Sequence, residues 1–106
     1  MNVLKFGGTS VATAAAMRQV RAIIEKTGGA IVVLSACGGV TNRLLHCIEL
    51  AGDGKSVAAV EIVNEIEQRH LDLCRDLLQS EDFQRDALLK VKALCEFQRN
   101  KHQSTY

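Results

Sequence analysis

The chain has 106 residues, of which 47% are hydrophobic, so it can bury the core of one small domain at most. Its 13 basic and 12 acidic residues give a net charge of +1 and form no basic patch, which argues against nucleic-acid binding. No apolar run approaches membrane-spanning length and no signal peptide is indicated. We therefore expect a cytoplasmic protein that binds neither nucleic acid nor membrane.

The first segment, residues 1–6, is apolar apart from Asn2 and Lys5 and predicts a short buried strand. Residues 7–10 (GGTS) follow it, and helical spacing of apolar residues then extends from about residue 12 to residue 26. A glycine loop between a strand and a helix presents backbone N–H groups and the positive end of the helix to an anion such as phosphate. Lys5 adds a positive charge, and a buried ammonium needs an anion. This first loop therefore predicts one side of a phosphoryl-transfer site.

The local pattern of the first loop leaves a second interpretation open. Residues 5–10 form neither a Walker A loop nor a dinucleotide-binding G-x-G-x-x-G motif. The same residues are also compatible with an ordinary strand-to-helix turn, in which the lysine is solvated and Ser10 is the helix N-cap.

A second strand and a second glycine loop follow the helix. The pair Gly28 and Gly29 predicts the end of the helix, and residues 30–34 (AIVVL) predict a strand buried on both faces. Residues 35–42 (SACGGVTN) form the next loop. The carboxyl ends of parallel strands lie at one edge of a sheet, where ligands bind in open α/β folds. We therefore predict a parallel β–α–β unit whose two loops face the same crevice.

Polar groups of the second loop predict a carboxylate site. The hydroxyls of Ser35 and Thr41, with the backbone N–H groups of Gly38 and Gly39, could hold a carboxylate, although a loop serine and a helix N-cap are the simpler interpretations. Cys37 has no neighbouring histidine to activate it, so we expect a packing thiol. The irregular spacing of the four cysteines predicts reduced thiols and no metal site.

The remainder of the chain predicts long amphipathic helices. After the glycines at 52 and 54, one helix is expected to begin after Ser56, and another to begin with Ser80 or Asp82 as its N-cap. The predicted class is α/β. Residues 1–54 would form a βαβα part that carries both loops, and residues 55–106 a helical segment of the same domain.

Two motifs resemble those of a known family. Residues 5–12 (KFGGTSVA) resemble the N-terminal signature of the aspartokinases, which belong to the amino-acid kinase superfamily. Residues 34–42 (LSACGGVTN) resemble the second motif of that family, at the expected distance. The resemblance implies the N-terminal part of a parallel-sheet kinase domain and covers nearly the whole chain, although the last third matches only in its helical character.

The resemblance implies transfer of the ATP γ-phosphate to the side-chain carboxylate of L-aspartate, a step in lysine, threonine and methionine biosynthesis, by an allosteric enzyme. It implies a catalytic lysine that bridges the phosphate oxygens, an ATP-binding loop, and two hydroxyls that contact aspartate. The catalytic lysine would be Lys5. The ATP-binding loop would consist of Gly7, Gly8, Thr9 and Ser10, together with Lys5. The hydroxyls that contact aspartate would be those of Ser35 and Thr41. One alternative is another superfamily member that acts on a different carboxylate, a carbamate or a nucleotide, but Phe6 and the Thr9–Ser10 pair argue against it. The other alternative is a non-catalytic helical interaction module.

Aspartokinases have further parts that these 106 residues do not match, namely the adenine and Mg²⁺ sites and the ACT regulatory domains. ATP is therefore expected to bind with Mg²⁺ whose ligands lie outside this sequence. We expect the chain alone to be an inactive fragment that self-associates through an unpaired strand edge or its helical half, and the parent enzyme to be a homo-oligomer.

Overall fold

The computed structural model describes residues 2–103 and divides into two compact units, Met1–Thr41 and Asn42–Tyr106. Met1, which was predicted to belong to the first strand, lies outside the described residues. Each unit has its own packing, and the assignment of both to one catalytic domain stays a prediction.

The first unit is a β–α–β arrangement with a short 3₁₀ turn after the first strand. Its elements are strand β1 (Asn2–Phe6), the 3₁₀ turn (Gly8–Val11), helix α1 (Ala14–Thr27) and strand β2 (Ala30–Leu34). The two strands pair in parallel, with Asn2 opposite Ala30 and Phe6 opposite Leu34. The predicted parallel β–α–β unit is confirmed, and both glycine loops leave the same edge of the sheet.

Helix α1 has a clear start and a clear end. Thr13 has an extended backbone (φ −137°, ψ 164°), and its hydroxyl accepts a hydrogen bond from the Ala16 N–H at 3.1 Å. At the other end Gly28 has a φ of +80°, a conformation that glycine adopts without strain. Thr13, rather than Ser10, is therefore the N-cap, and the helix begins two residues later than its apolar spacing predicts.

The prediction that both strands are buried is wrong for this chain. Side chains alternate between the two faces of the sheet, and helix α1 packs against both strands. Phe6 and Val32 are half-buried, whereas Lys5 is exposed and Ile31 and Val33 keep 53% and 46% of their surface. The reason is that α1 covers one face only, and no other described element of the first unit covers the opposite face.

The second unit is helical. Helix α2 (Val40–Gly52), whose first two residues belong to the first unit, is followed by α3 (Ser56–Leu77) and α4 (Glu81–Gln103). The core contains Cys47, Ala59, Ile62 and Val63. The Cys47 thiol donates a hydrogen bond to the Ala59 carbonyl at 3.3 Å, and burial raises the pKa of this thiol. The core thus joins α2 to α3 and confirms the predicted helical half.

Helices α3 and α4 pack against each other and are linked by a partly buried arginine. The Arg99 guanidinium donates to the two carboxylate oxygens of Glu67 at 2.9 and 3.3 Å and to the Asn64 side-chain oxygen at 2.8 Å. The side chains of Arg99 and Glu67 are only 17% and 19% exposed. The hydrogen bond to Glu67 raises the pKa of Arg99 and so favours the charged guanidinium.

The helix boundaries of this unit agree well with their sequence signals. Ser80 accepts a hydrogen bond from the Phe83 N–H at 3.4 Å, which confirms Ser80 as the N-cap of α4. The His70 ring is half-buried and its Nδ1 lies 2.7 Å from the Ile66 carbonyl oxygen, as expected for a satisfied imidazole. Within residues 2–103, no helix is both long enough and apolar enough to cross a membrane.

Candidate functional site

The first glycine loop is a tight turn directly after β1. Ser10 N–H donates to the Gly7 carbonyl at 3.1 Å, and Ala12 N–H donates to the Thr9 carbonyl at 3.4 Å. These two bonds close the 3₁₀ turn. The first N–H groups of a helical turn have no acceptor within that turn, so those of Gly8 and Thr9 have none there. Helix α1, whose N-terminus the sequence places directly after this loop, begins only at Ala14, and anion binding by the loop stays a prediction.

The second glycine loop continues from β2 and leads into α2. Ser35 N–H donates to the Phe6 carbonyl at 3.0 Å and so extends the pairing of the two strands by one residue. Val40 N–H then donates to the Cys37 carbonyl at 3.0 Å, which closes a four-residue turn. Gly39 occupies the third position of this turn with a φ of +83°, a conformation that favours glycine there. Helix α2 begins at Val40, immediately after Gly39.

The two loops touch through their backbones. Gly38 N–H donates a hydrogen bond to the Gly8 carbonyl at 3.0 Å. A Cβ added to Gly8 would lie 3.1 Å from the Gly38 Cα and 3.3 Å from the Ala36 carbonyl oxygen, and a Cβ added to Gly38 would lie 3.2 Å from the Gly8 carbonyl oxygen. We call this contact the glycine crossing. It confirms that the two loops meet. Glycine at both positions allows this close approach, because it has no Cβ.

Lys5 precedes the first loop by two residues, and its side chain is exposed. The argument that its ammonium is buried and so requires an anion is therefore wrong in this chain. Lys5 pairs with Val33, and Ser35 lies two residues beyond Val33. By the alternation of side chains along a strand, Lys5 and Val33 lie on the same face of the sheet, opposite α1. Lys5 and Ser35 thus both lie near the carboxyl edge of the sheet.

The hydroxyl residues of the two loops lie near the crossing in sequence but have different environments. Thr9, Ser35 and Thr41 are exposed, and Ser10 is half-buried. Thr41 lies inside the first turn of α2 and is not its N-cap, because the helix begins one residue earlier. Exposed hydroxyls at a sheet edge are accessible to a ligand, and their assignment to ATP and aspartate stays a prediction.

Two features of this region escaped the sequence analysis. The N-cap role of Thr13 could have been found, because a threonine directly before an alanine-rich helical segment is a common start signal. The pairing of Gly8 with Gly38 could not, because the two residues lie far apart in the chain and no local pattern links them. Cys37 is buried beside the crossing in sequence, which agrees with the expected packing thiol.

One comparison with known proteins bears on this site. An aspartokinase from Chlamydia trachomatis serovar D is 41% identical to the chain over 75 residues. The resemblance to the aspartokinases is confirmed. The match covers 71% of this chain but only 16% of the aspartokinase, so the chain spans a small part of the length of that relative. No protein family model matches the chain.

The match supports a relationship between the chain and a known family. The chain is related to the amino-acid kinases through its likeness to part of an aspartokinase. Within residues 2–103, no group of three or more histidine, cysteine, aspartate or glutamate side chains is placed to hold a metal ion. The described residues therefore offer backbone donors, hydroxyls and one lysine at the sheet edge, which are groups suited to binding anions.

Proposed function

We propose that the complete gene product containing this chain transfers the γ-phosphate of ATP to the side-chain carboxylate of L-aspartate. The observation that carries the proposal is the glycine crossing, where Gly38 N–H meets the Gly8 carbonyl at 3.0 Å. It brings the two glycine loops together at one edge of a parallel sheet, where ligands bind in open α/β folds. The similarity to an aspartokinase supports the identity of the two substrates.

In this proposal the first loop holds the phosphates of ATP. The backbone N–H groups of Gly7, Gly8 and Thr9 and the hydroxyl of Ser10 would donate to phosphate oxygens, and Lys5 would bridge the oxygens of the phosphoryl group in transfer. Lys5 is exposed on the face of the sheet that α1 does not cover, so its long side chain has room to reach a ligand at the sheet edge. It is the catalytic residue of the proposal.

The second loop holds the acceptor in this proposal. Ser35 and Thr41 would donate hydrogen bonds to L-aspartate, and both side chains are exposed. The aspartate side chain, with an ordinary pKa of about 3.9, is ionised at neutral pH and needs no general base to become a nucleophile. The barrier is the repulsion between this carboxylate and the triphosphate. Positive charge and backbone donors that align the two anions lower that barrier.

We further propose a metal ion, a cellular location and an assembly state for the complete gene product. ATP enters with Mg²⁺, and we propose that the protein ligands of this ion lie outside residues 2–103. The complete gene product is proposed to be a cytoplasmic, allosteric homo-oligomer that acts in the biosynthesis of lysine, threonine and methionine. The 106-residue chain by itself is proposed to be inactive, since it spans a small part of the relative it matches.

A panel of acceptors tests the proposal. ADP release is measured with the complete gene product, Mg²⁺ and ATP in the presence of L-aspartate, L-glutamate, carbamate or a nucleoside monophosphate. Hydroxylamine added to the aspartate reaction should trap the acyl phosphate as a hydroxamate. We expect aspartate-dependent ADP release and hydroxamate formation. ADP release with one of the other acceptors would support a different amino-acid kinase activity, and no release with any of them would contradict a kinase function.

A further inference from the structure

We infer that the glycine crossing is a positioning element, which fixes the distance between the two substrate loops. The inference rests on the proposed function and concerns Gly8, which the resemblance assigns to the ATP-binding loop, and Gly38. The sequence assigns the Gly38 N–H to a carboxylate site, whereas in the structure it donates to the Gly8 carbonyl. The crossing is a direct backbone contact with a 3.0 Å hydrogen bond and no intervening side chain. The two loops therefore cannot move independently without breaking this bond.

The space around the crossing explains why its geometry is sensitive. The groups that a Cβ on Gly8 would meet at 3.1 and 3.3 Å are backbone atoms of Gly38 and Ala36, and the atom that a Cβ on Gly38 would meet at 3.2 Å is the Gly8 carbonyl oxygen. Backbone atoms held by strand pairing and turn bonds cannot rotate away as a flexible side chain would. A methyl group at either position must therefore separate the loops by a few tenths of an ångström.

Such a separation acts on alignment more than on binding. Each loop is closed by hydrogen bonds of its own, from Ser10 N–H to the Gly7 carbonyl and from Val40 N–H to the Cys37 carbonyl. Each loop would thus keep its own substrate contacts when the crossing opens. The reacting carboxylate and phosphoryl group would be further apart by a few tenths of an ångström, which should cost less than the roughly hundredfold loss in rate that a misplacement of about 1 Å can cause.

Gly7 provides a matched control in the same loop. A Cβ on Gly7 would meet nothing within 4 Å, and its φ of −78° and ψ of −179° suit any residue. Gly7→Ala therefore adds the same methyl group one residue from Gly8 without opening the crossing. Because Gly7 belongs to the proposed phosphate loop, the comparison uses the ratio of the change in kcat to the change in KM and not activity alone.

The test measures kcat, both KM values and thermal stability of the complete gene product as Gly8→Ala, Gly38→Ala and Gly7→Ala. We expect kcat to fall roughly 10-fold in Gly8→Ala and in Gly38→Ala, with each KM changed less than about threefold. The variant that carries both substitutions should be about as slow as the slower single variant. Gly7→Ala should lose less kcat than either. Equal kcat losses in all three, additive losses in the double variant, or a loss confined to one KM would overturn the inference.

Hydrogen exchange, followed by mass spectrometry of the complete gene product, separates this inference from the proposed function. Peptides covering residues 36–40 should exchange faster in Gly8→Ala than in Gly7→Ala, because only the former disturbs the acceptor of the Gly38 N–H. This readout also serves if Gly38→Ala does not fold. An active wild type without this contrast would overturn the inference alone. A wild type without aspartate-dependent turnover would overturn the proposed function and with it the positioning role, even if the contrast were seen.

Discussion

Thr13 sets the geometry of the first loop, because it fixes the residue at which helix α1 begins. Its extended backbone keeps residues 8–12 out of the helix, and those residues form the tight turn that reaches Gly38. The cap thus marks the boundary between helix α1 and the tight turn that carries the contact between the two loops.

Replacement of Thr13 tests its role as the N-cap of α1. Thr13→Ala removes the hydroxyl that accepts the Ala16 N–H, so the free energy of unfolding of the chain should fall by about 1 kcal/mol. Thr13→Ser keeps the oxygen and should lose at most a few tenths of that amount. Urea denaturation measures both values. Equal stabilities of the alanine and serine variants would contradict the assignment of the N-cap.

At the scale of elements, strands and helices follow local signals that the sequence carries openly. The apolar run at 30–34, the glycines at 28–29 and the cap at Ser80 predict β2, the end of α1 and the start of α4 correctly. Burial of the strands could not be predicted in the same way. It depends on which element covers each face, and α1 covers only one.

The glycine crossing lies beyond sequence prediction for a related reason. Sequence alone places Gly8 and Gly38 at the same edge of a parallel sheet, since both follow a strand. Which residues touch depends on how far each loop extends, and that is decided by the 3₁₀ turn in one loop and the turn at Cys37–Val40 in the other. The sequence therefore predicts that the two loops share a crevice, but it does not predict that Gly8 and Gly38 are the residues in contact.

The pairing of helices α3 and α4 depends on Arg99. Arg99→Ala would leave the Glu67 carboxylate, only 19% exposed, without its guanidinium partner, so the free energy of unfolding should fall by about 2 kcal/mol. The control is Arg85→Ala, which removes a pair with Asp82 whose side chains are 68% and 89% exposed. That change should cost less than about 0.5 kcal/mol. Urea denaturation measures the free energy of unfolding of both variants. Equal losses in this free energy would contradict the role given to Arg99.

At the scale of the whole chain, the uncovered face of the sheet has a physical consequence. Val3, Ile31 and Val33 keep 66%, 53% and 46% of their surface. Within residues 2–103 the sheet has two strands, so each strand has one edge that pairs with no other described strand. Exposed apolar strands with free edges favour association with another chain. We therefore expect the 106-residue chain to self-associate through this sheet at high concentration.

Sedimentation velocity over a range of concentrations tests the expected association. Val33→Lys places a charge on the uncovered face and should shift the distribution toward monomer. Val57→Lys is the matched control, because Val57 is 77% exposed on helix α3 and lies outside the sheet. A wild type that stays monomeric, or an equal effect of the two substitutions, would contradict association through the sheet.

The central claim is that the edge of this sheet binds and aligns the two anions of a phosphoryl transfer, with Lys5 supplying the mobile positive charge. Its most direct test measures the rate of aspartate-dependent hydroxamate formation by the Lys5→Ala variant of the complete gene product. The control is Lys26→Ala, because Lys26 is an exposed lysine in the last turn of α1. We predict a loss in kcat of roughly 100-fold or more for Lys5→Ala and a change of less than about twofold for Lys26→Ala. Near-normal turnover of a folded Lys5→Ala enzyme would contradict the account.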